Sequence, residues 1–402
     1  MGSGTLIEII ARGNQDIPIT GNPQISYFKS IYHRHTNFAV EPIHNLFNET
    51  PDFGRKTTCV IDKKGDLLSA LYLEIQLPSI TPVGWVNGIG NQIIKTVEIH
   101  IGGHTIDKIS GKALDIYNEM IISPGIKSSY YDMIGKLFTY GVGSQLDALL
   151  LYVPLPFWFC RDISRSLPLI NLGFMDISIV VELEQFDNLW YKKNAGIPPA
   201  NIHITSMTLL TNYIYLDVHE RRKMLANPKI EYLIEQFQEP NQMSIIYDQQ
   251  SISHPIYLNH PVKEIIWYYQ SIYANSINDT NNYANFLNPG TSSQKLVEPF
   301  TTVELKFNGN DRFTMLNAKY FRSVQPYEHH SSNPDNYVYL FSFAFNPEVN
   351  QPSGTCNFSK IDDVRMNIGL STNIQNGAIY ILAINYNILR IQNGMAGILF
   401  NS

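Results

Sequence analysis

Charge is what this sequence has least of. Only 16% of its 402 residues are Asp, Glu, Lys or Arg, against about 25% in ordinary soluble proteins. The 29 basic and 35 acidic residues leave a net charge of −6. They are interspersed, without the basic stripe that tracks a phosphate backbone, so direct nucleic-acid binding is excluded as the main role. Cysteine is scarce as well. Cys59, Cys160 and Cys356 lie too far apart for a disulfide framework or a CxxC metal knuckle, which points to a reducing compartment. The most apolar run, residues 148–160, is too short to span a bilayer and contains Pro154 and Pro156. The opening MGSGTLIEIIARG has no basic region ahead of an apolar core, as a secretory signal would. Leu6 stands where myristoylation wants Ser or Thr. The expectation is a soluble, intracellularly made protein.

What is present excludes disorder: 44% of residues are hydrophobic and 12% aromatic. The length suits two domains of roughly 200 residues each. A large chain with so few charges is expected to bury much of its surface against partners.

Period-two alternation dominates the pattern. Val97-Glu98-Ile99-His100-Ile101 runs into Gly102-Gly103, and Val303-Glu304-Leu305-Lys306-Phe307 runs into Asn308-Gly309. Ile177, Ile179, Val181 and Leu183 share one strand face, and Tyr337, Tyr339, Phe341, Phe343 and Phe345 share another. Further strands are expected over 57–62, 67–77, 152–159, 202–216, 243–247, 262–269 and 378–391, bounded by Gly, Pro, Asn or Asp. Helix signals are few, the best being 113–121 and 217–225, the latter capped by Asp217. The fold class is all-β, a sandwich or barrel architecture.

An internal repeat is visible. The Val97–Gly103 and Val303–Gly309 heptapeptides match. In each half a short helical or irregular stretch follows, then an aromatic strand (152–159; 337–345). A Pro-bearing loop then leads to an Asp-containing strand (Met175-Asp176-Ile177; Asp362-Asp363-Val364), and each half closes on Asn-Tyr (Asn212-Tyr213; Asn385-Tyr386). Two copies of one sandwich in tandem are implied. The expected division is an arm at 1–18, a first sandwich at 19–216, a charged, helix-prone linker at 217–228 and a second sandwich at 229–402. Long aperiodic stretches fall at 123–145, 191–201 and 271–299 and are expected to be functional or mobile loops. The Asn-, Ser- and Thr-rich 271–299 stretch is read as exposed and outward-facing.

Catalytic chemistry is hard to find. His33-Arg34-His35 with Glu41 approaches a cupin-like metal set, but the Glu is one residue too far and the second half has no equivalent His pair. His100 and His104 flank a turn, and His329-His330 reads as an exposed loop tip. Cys160 reads as a buried small hydrophobe, and Cys356 has no partner His nearby. No GxSxG elbow and no GxxxxGK[ST] loop occurs. Glu182 and Glu184 share a strand face and are read as pairing with Lys192 or Lys193 at the surface. No catalytic, cofactor-binding or metal residue is assigned. Three sequons make Asn278, Asn48 and Asn357 candidate glycan acceptors, Asn278 the most accessible-looking. A structural or binding protein is expected rather than an enzyme.

Several blocks carry a family resemblance. Thr20-Gly21-Asn22-Pro23-Gln24-Ile25-Ser26-Tyr27-Phe28-Lys29, Gly65-Asp66-Leu67 and Glu98-Ile99-His100-Ile101-Gly102-Gly103-His104 are the first three. Phe307-Asn308-Gly309-Asn310-Asp311-Arg312-Phe313 and Tyr320-Phe321-Arg322-Ser323-Val324-Gln325-Pro326-Tyr327 follow. Gln351-Pro352-Ser353-Gly354-Thr355-Cys356-Asn357-Phe358-Ser359-Lys360 and Asn385-Tyr386-Asn387-Ile388-Leu389-Arg390-Ile391 complete them. In this order they resemble the major capsid proteins of nucleocytoplasmic large DNA viruses, among them the algal-virus and giant-virus members. The resemblance implies two tandem eight-stranded jelly-roll sandwiches with few short helices. It implies a homotrimer of pseudo-hexagonal outline tiling an icosahedral shell, without cofactor. The implied partners are copies of the chain, minor capsid and vertex proteins and an internal viral membrane layer, with no direct nucleic acid. The implied location is the virion shell, assembled in the host cytoplasm. Two rival readings remain: a bicupin-like metalloenzyme and a soluble carbohydrate-binding double sandwich.

Overall fold

The structure, a computed structural model, describes residues 4, 7–8, 10–137, 147–192, 196–279, 281–334 and 337–400. By packing it forms two units, Met1–Asn37 and Phe38–Ser402. The first has a short helix, Ile17–Thr20, with Pro18 in its opening turn, and exposes Tyr27, Phe28 and Tyr32. This separate segment runs to Asn37, past the limit of 18 drawn from composition.

The second unit is built on sixteen principal strands. In the first half they are β1 (Phe38–Asn45), β2 (Lys56–Val60), β3 (Leu67–Leu77), β4 (Ile94–Ile101), β5 (His104–Ser110), β6 (Leu149–Pro154), β7 (Ile177–Leu183) and β8 (Ser206–Leu216). In the second they are β9 (Lys229–Gln238), β10 (Ser251–Pro255), β11 (Pro261–Ser271), β12 (Phe300–Phe307), β13 (Asn310–Asn317), β14 (Val338–Ser342), β15 (Val364–Leu370) and β16 (Gly377–Gln392). The first half forms sheets β1-β8-β3-β6 and β2-β7-β4-β5, and the second forms β9-β16-β11-β14 and β10-β15-β12-β13. Adding eight to every strand number of the first half yields the second. The first and last strands of each half pair antiparallel, the closure of a jelly roll.

The repeat extends to individual hydrogen bonds. Gly102 N–H donates to Asp176 O at 2.8 Å, and Asn308 N–H donates to Asp363 O at 2.8 Å. Ile61 N–H to Ile177 O is matched by Ile256 N–H to Val364 O, and Leu183 N–H to Arg55 O by Leu370 N–H to Gln250 O. Gly102 and Gly103 (φ 59° and 82°) and Asn308 and Gly309 (φ 49° and 81°) are all left-handed, as a tight two-residue hairpin requires and as Gly and Asn allow. A bulge interrupts the equivalent strand in both halves, at Ser69 in β3 and Lys263 in β11. The Asn-Tyr match is one register out. Tyr213 lies opposite Leu68, whereas Asn385 lies opposite Val262, the residue that corresponds to Leu68.

Burial explains the patterns. Leu71, Leu73 and Ile75 of β3, Val97 and Ile99 of β4, and Ile177, Ile179 and Val181 of β7 meet in the first core. Val262, Ile265, Trp267, Val303, Leu305, Met366 and Ile368 meet in the second. β11 is buried on both faces. Ile265, Trp267 and Tyr269 face the second core, while Ile266 and Tyr268 join the first half's cluster with Leu382 and Ile384 of β16. A sheet covered on both sides loses alternation and becomes continuously apolar, as Ile265-Ile266-Trp267-Tyr268-Tyr269 does. The first half's core therefore extends onto the outer face of the second half's β9-β16-β11-β14 sheet, while the second sandwich keeps a core of its own.

Two helices follow β5: α1 (Gly111–Ile121), with Ser110 Oγ accepting from Ala113 N–H at 3.1 Å, and α2 (Lys127–Ile134). The linker holds α3 (Val218–Ala226), whose first N–H donates to Asp217 Oδ1 at 2.7 Å, as expected of a cap. The strand expected over 152–159 stops at Pro154, and Trp158–Arg161 forms a helical turn. The pattern also left β1, β5, β9, β10 and β13 unassigned. β1 and β13 are mostly exposed edge strands, so no apolar alternation marks them.

Candidate functional site

No group of three or more His, Cys, Asp or Glu able to hold a metal occurs among the described residues. His33 is exposed, and His35 Nδ1 lies 2.7 Å from Thr36 O. His100 Nε2 lies 2.9 Å from Glu98 Oε2, while His104 is exposed. His330 is no loop tip: its side chain is 1% exposed, between Glu264 and Glu348. Glu182 takes Lys95 at 2.6 Å rather than Lys192, and Lys192 takes Asp187 at 2.9 Å; Lys193 lies outside the described residues. Burial pushes the Cys59 and Cys160 thiols up to about 12 and raises Cys356, the reverse of an activated nucleophile.

The 271–299 stretch requires a correction. Asn278 is 3% exposed, and its side-chain amide donates to Asp187 O at 2.8 Å and Trp190 O at 2.7 Å. It is the least accessible of the three sequons, whereas Asn48 and Asn357 are exposed. Asn281 Nδ2 donates to Asn87 O, and Asn285 is fully buried, accepting from Gln375 N–H at 3.1 Å. An asparagine amide has the donor and acceptor of a peptide group, so these buried side chains pair with loop backbone as a sheet ladder would. Asn278 and Asn281 thus fasten the second sandwich onto the first, while Asn285 ties loops within the second. Exposure resumes near 288–296.

A buried charge cluster lies where the sandwiches meet. Glu235 of β9 accepts from Arg161 Nη1, from Arg165 Nη1 at 3.3 Å and from Lys263 Nζ at 2.7 Å. The helical turn after β6 carries Arg161 into place, and its guanidinium stacks 4.5 Å from the Tyr117 ring and 5.3 Å from Phe237. The β11 bulge places Lys263, 1% exposed at its side chain, against the same carboxylate and against Pro347 O at 2.6 Å. Burial alone would raise the Glu235 pKa; the three cations outweigh it and hold it down at about 2. Nearby Asp107 of β5 accepts from Phe237 N–H at 3.1 Å, and burial pushes it up to about 7. Gln236 Nε2 donates to Ile106 O across the same seam. Sequence reasoning missed these residues. The available signal was Lys263-Glu264 heading a long apolar run and Glu235 inside β9.

The arrangement offers contact surface rather than a reaction centre. Phe174, Ile197, Tyr257, Tyr327 and Phe345 are each at least 77% exposed, on connections between strands at several places. No helix among the described residues is long and apolar enough to cross a membrane.

Comparison with known proteins places the chain. Residues 26–217 match the family model described as the major capsid protein N-terminus, and residues 220–397 match the large eukaryotic DNA virus major capsid protein model. The chain is 34% identical to a major capsid protein of Pyramimonas orientalis virus, over 100% of both chains. It is 31% identical to that of Paramecium bursaria Chlorella virus 1, over 99% of each. The PBCV-1 virus capsid structure superposes with a TM-score of 0.83 at 27% identity, covering 94% of this chain and 100% of that one. The Faustovirus major capsid protein, at 14% identity and a TM-score of 0.79, shares the fold.

Proposed function

This chain belongs to the major capsid protein family of large eukaryotic DNA viruses, and from that premise we propose that it forms the virion shell by self-association. Its building block is a homotrimer. Six similar sandwiches around a threefold axis give a near-hexagonal outline, and such blocks tile the faces of an icosahedron. The observation that carries this reading is the duplication: two jelly rolls of identical strand order, fixed against each other by the extension of the first core onto the second half's sheet and by a buried charge cluster. A rigid pair of like units is what lets a threefold object imitate sixfold symmetry. The metalloenzyme and carbohydrate-binding readings find no support in the relatives.

Trimer formation is expected to bury an obligate-type interface of more than about 2,000 Å². Trimer–trimer contacts are smaller and more polar, because errors anneal only through reversible contacts. The division into jelly rolls at 19–216 and 229–402 with a linker at 217–228 is supported by the strands, which all fall inside those limits. The N-terminal arm, 1–18 within the separate unit Met1–Asn37, orders on the inner side of the shell. Minor capsid and vertex proteins and an internal viral membrane layer complete the proposed partners, and the host cytoplasm is the proposed place of assembly. Exposed Asn48 and Asn357 are the proposed glycan acceptors. Native mass spectrometry of the purified chain tests the central claim: a trimer is expected, and a stable monomer at micromolar concentration refutes it.

A further inference from the structure

One buried imidazole in the second sandwich is shared by two carboxylates. His330 follows the short helix Gln325–His329. Its Nε2 lies 2.9 Å from Glu264 Oε2 and its Nδ1 3.1 Å from Glu348 Oε1. A neutral imidazole carries one N–H and satisfies one such acceptor, whereas the imidazolium donates to both. The two anchors differ. Glu264, on β11, is 1% exposed at its side chain, with Lys263 beside it. Glu348 is 21% exposed, accepts from Ser331 N–H at 2.8 Å and from Ser331 Oγ, and lies on the segment after β14. Other groups face the site: Lys263, Glu235 of β9, Arg161 and Tyr117 from the first sandwich, and Tyr386 of β16. On the helix itself, His329 Nε2 lies 3.9 Å from Glu328.

The Glu348 segment has further ties. Pro347 O accepts from Lys263 Nζ, Asn350 Nδ2 donates to Asp162, Asn346 N–H donates to Ser353 Oγ at 2.9 Å, and His329 Nδ1 meets Phe345 O at 3.0 Å. It carries two apolar side chains at the surface, Phe345 (78% exposed) and Val349 (53%).

We propose that His330 is a proton-dependent latch, which as imidazolium ties residues 345–350 to β11 and on losing its proton lets that segment, with Phe345 and Val349, come away. Deprotonation leaves two carboxylates facing across a neutral ring in a poorly solvated site. Glu264 keeps its Lys263 neighbour, so Glu348, which already meets water, is the one to leave. Burial by itself opposes the charged ring, but Glu264 and Glu348 outweigh it and raise the pKa from 6.5 to about 9. The folded value lies above the unfolded one, so the latch is at full strength below 6.5 and weakens as pH rises through about 9. The inference stands apart from the assembly reading, since it concerns one chain.

Hydrogen exchange read by mass spectrometry on the full chain, corrected for intrinsic exchange, tests it between about pH 7 and pH 10. In the wild type, protection of peptides covering 343–351 should fall about tenfold or more while β4 and β11 peptides hold. His330→Gln should show weak protection of 343–351 at both pH values. Glu348→Gln, altered at the more exposed anchor, should move the release down by about one pH unit. Unchanged wild-type protection across the window overturns the latch. So does an identical transition in His330→Gln, or loss of the β4 and β11 peptides together with 343–351.

Discussion

Replacing Glu235 by Ala removes the carboxylate that Arg161, Arg165 and Lys263 share. The consequences for the three cations differ. Arg161 keeps Pro156 O, which accepts from its Nε at 2.8 Å, and its stack on Tyr117. Lys263 keeps Pro347 O. Arg165 loses its carboxylate while its side chain is only 11% exposed. Removing one partner from a buried ion pair costs about 3–5 kcal/mol, because the remaining charge stays desolvated. With Arg161 and Lys263 each keeping a carbonyl partner, about 4 kcal/mol is expected, a large share of the 5–15 kcal/mol typical of folded proteins. Urea unfolding followed by tryptophan fluorescence reads this as a lower midpoint at unchanged slope. Glu231→Ala is the control: that carboxylate lies on the same strand, with Lys229 and Arg390, at the surface, and no measurable shift is expected. The pH profile supplies a second readout. Glu235 titrates in the fold near 2 against 4.5 unfolded, so its stabilisation is present above 4.5 and is lost as pH falls towards 2. The Ala variant should lack that acid component. A free-energy loss below about 1 kcal/mol, or an unchanged acid limb, refutes the claim that this cluster locks the sandwiches together.

Three further outcomes follow from the same structure. Gly111→Ala places a Cβ 2.0 Å from Ile94 O and 2.5 Å from Asn91 O, a backbone collision expected to cost about 3 kcal/mol or more; Gly125→Ala, with open space around it, should leave the unfolding midpoint in place. Asn278→Ala takes the amide donor from two part-buried loop carbonyls and puts Ala at φ 57°, for an expected loss of about 2–4 kcal/mol, and peptide mapping of virion protein should find no glycan on Asn278. With Cys59 and Cys160 raised to about 12, Ellman's reagent at about pH 8 should miss both in the native protein and count three thiols after denaturation; fast native labelling of either would contradict their burial.

The parts of the fold legible in the sequence are those governed by local periodicity. β3 falls where the 67–77 alternation put it, and β16 runs one residue beyond each expected end. The Val97–Gly103 and Val303–Gly309 repeat marks the same strand and hairpin in each half. The illegible parts are those whose environment comes from elsewhere in the chain. β1 and β13 are exposed edges whose strand character comes from a partner's ladder. Asn278 and the Asn-rich run 281–286 are polar in composition and buried in fact.

The sequence by itself determined an all-β duplicated chain, because side-chain alternation and turn residues are short-range properties. The tertiary structure alone decided which polar residues lie inside. Arg161 meets Glu235 across 74 positions, Asn278 meets Asp187 across 91, and His330 meets Glu264 across 66. Burying a charge or an amide is tolerable only where its partner arrives at the same place, and that coincidence is a property of the folded chain.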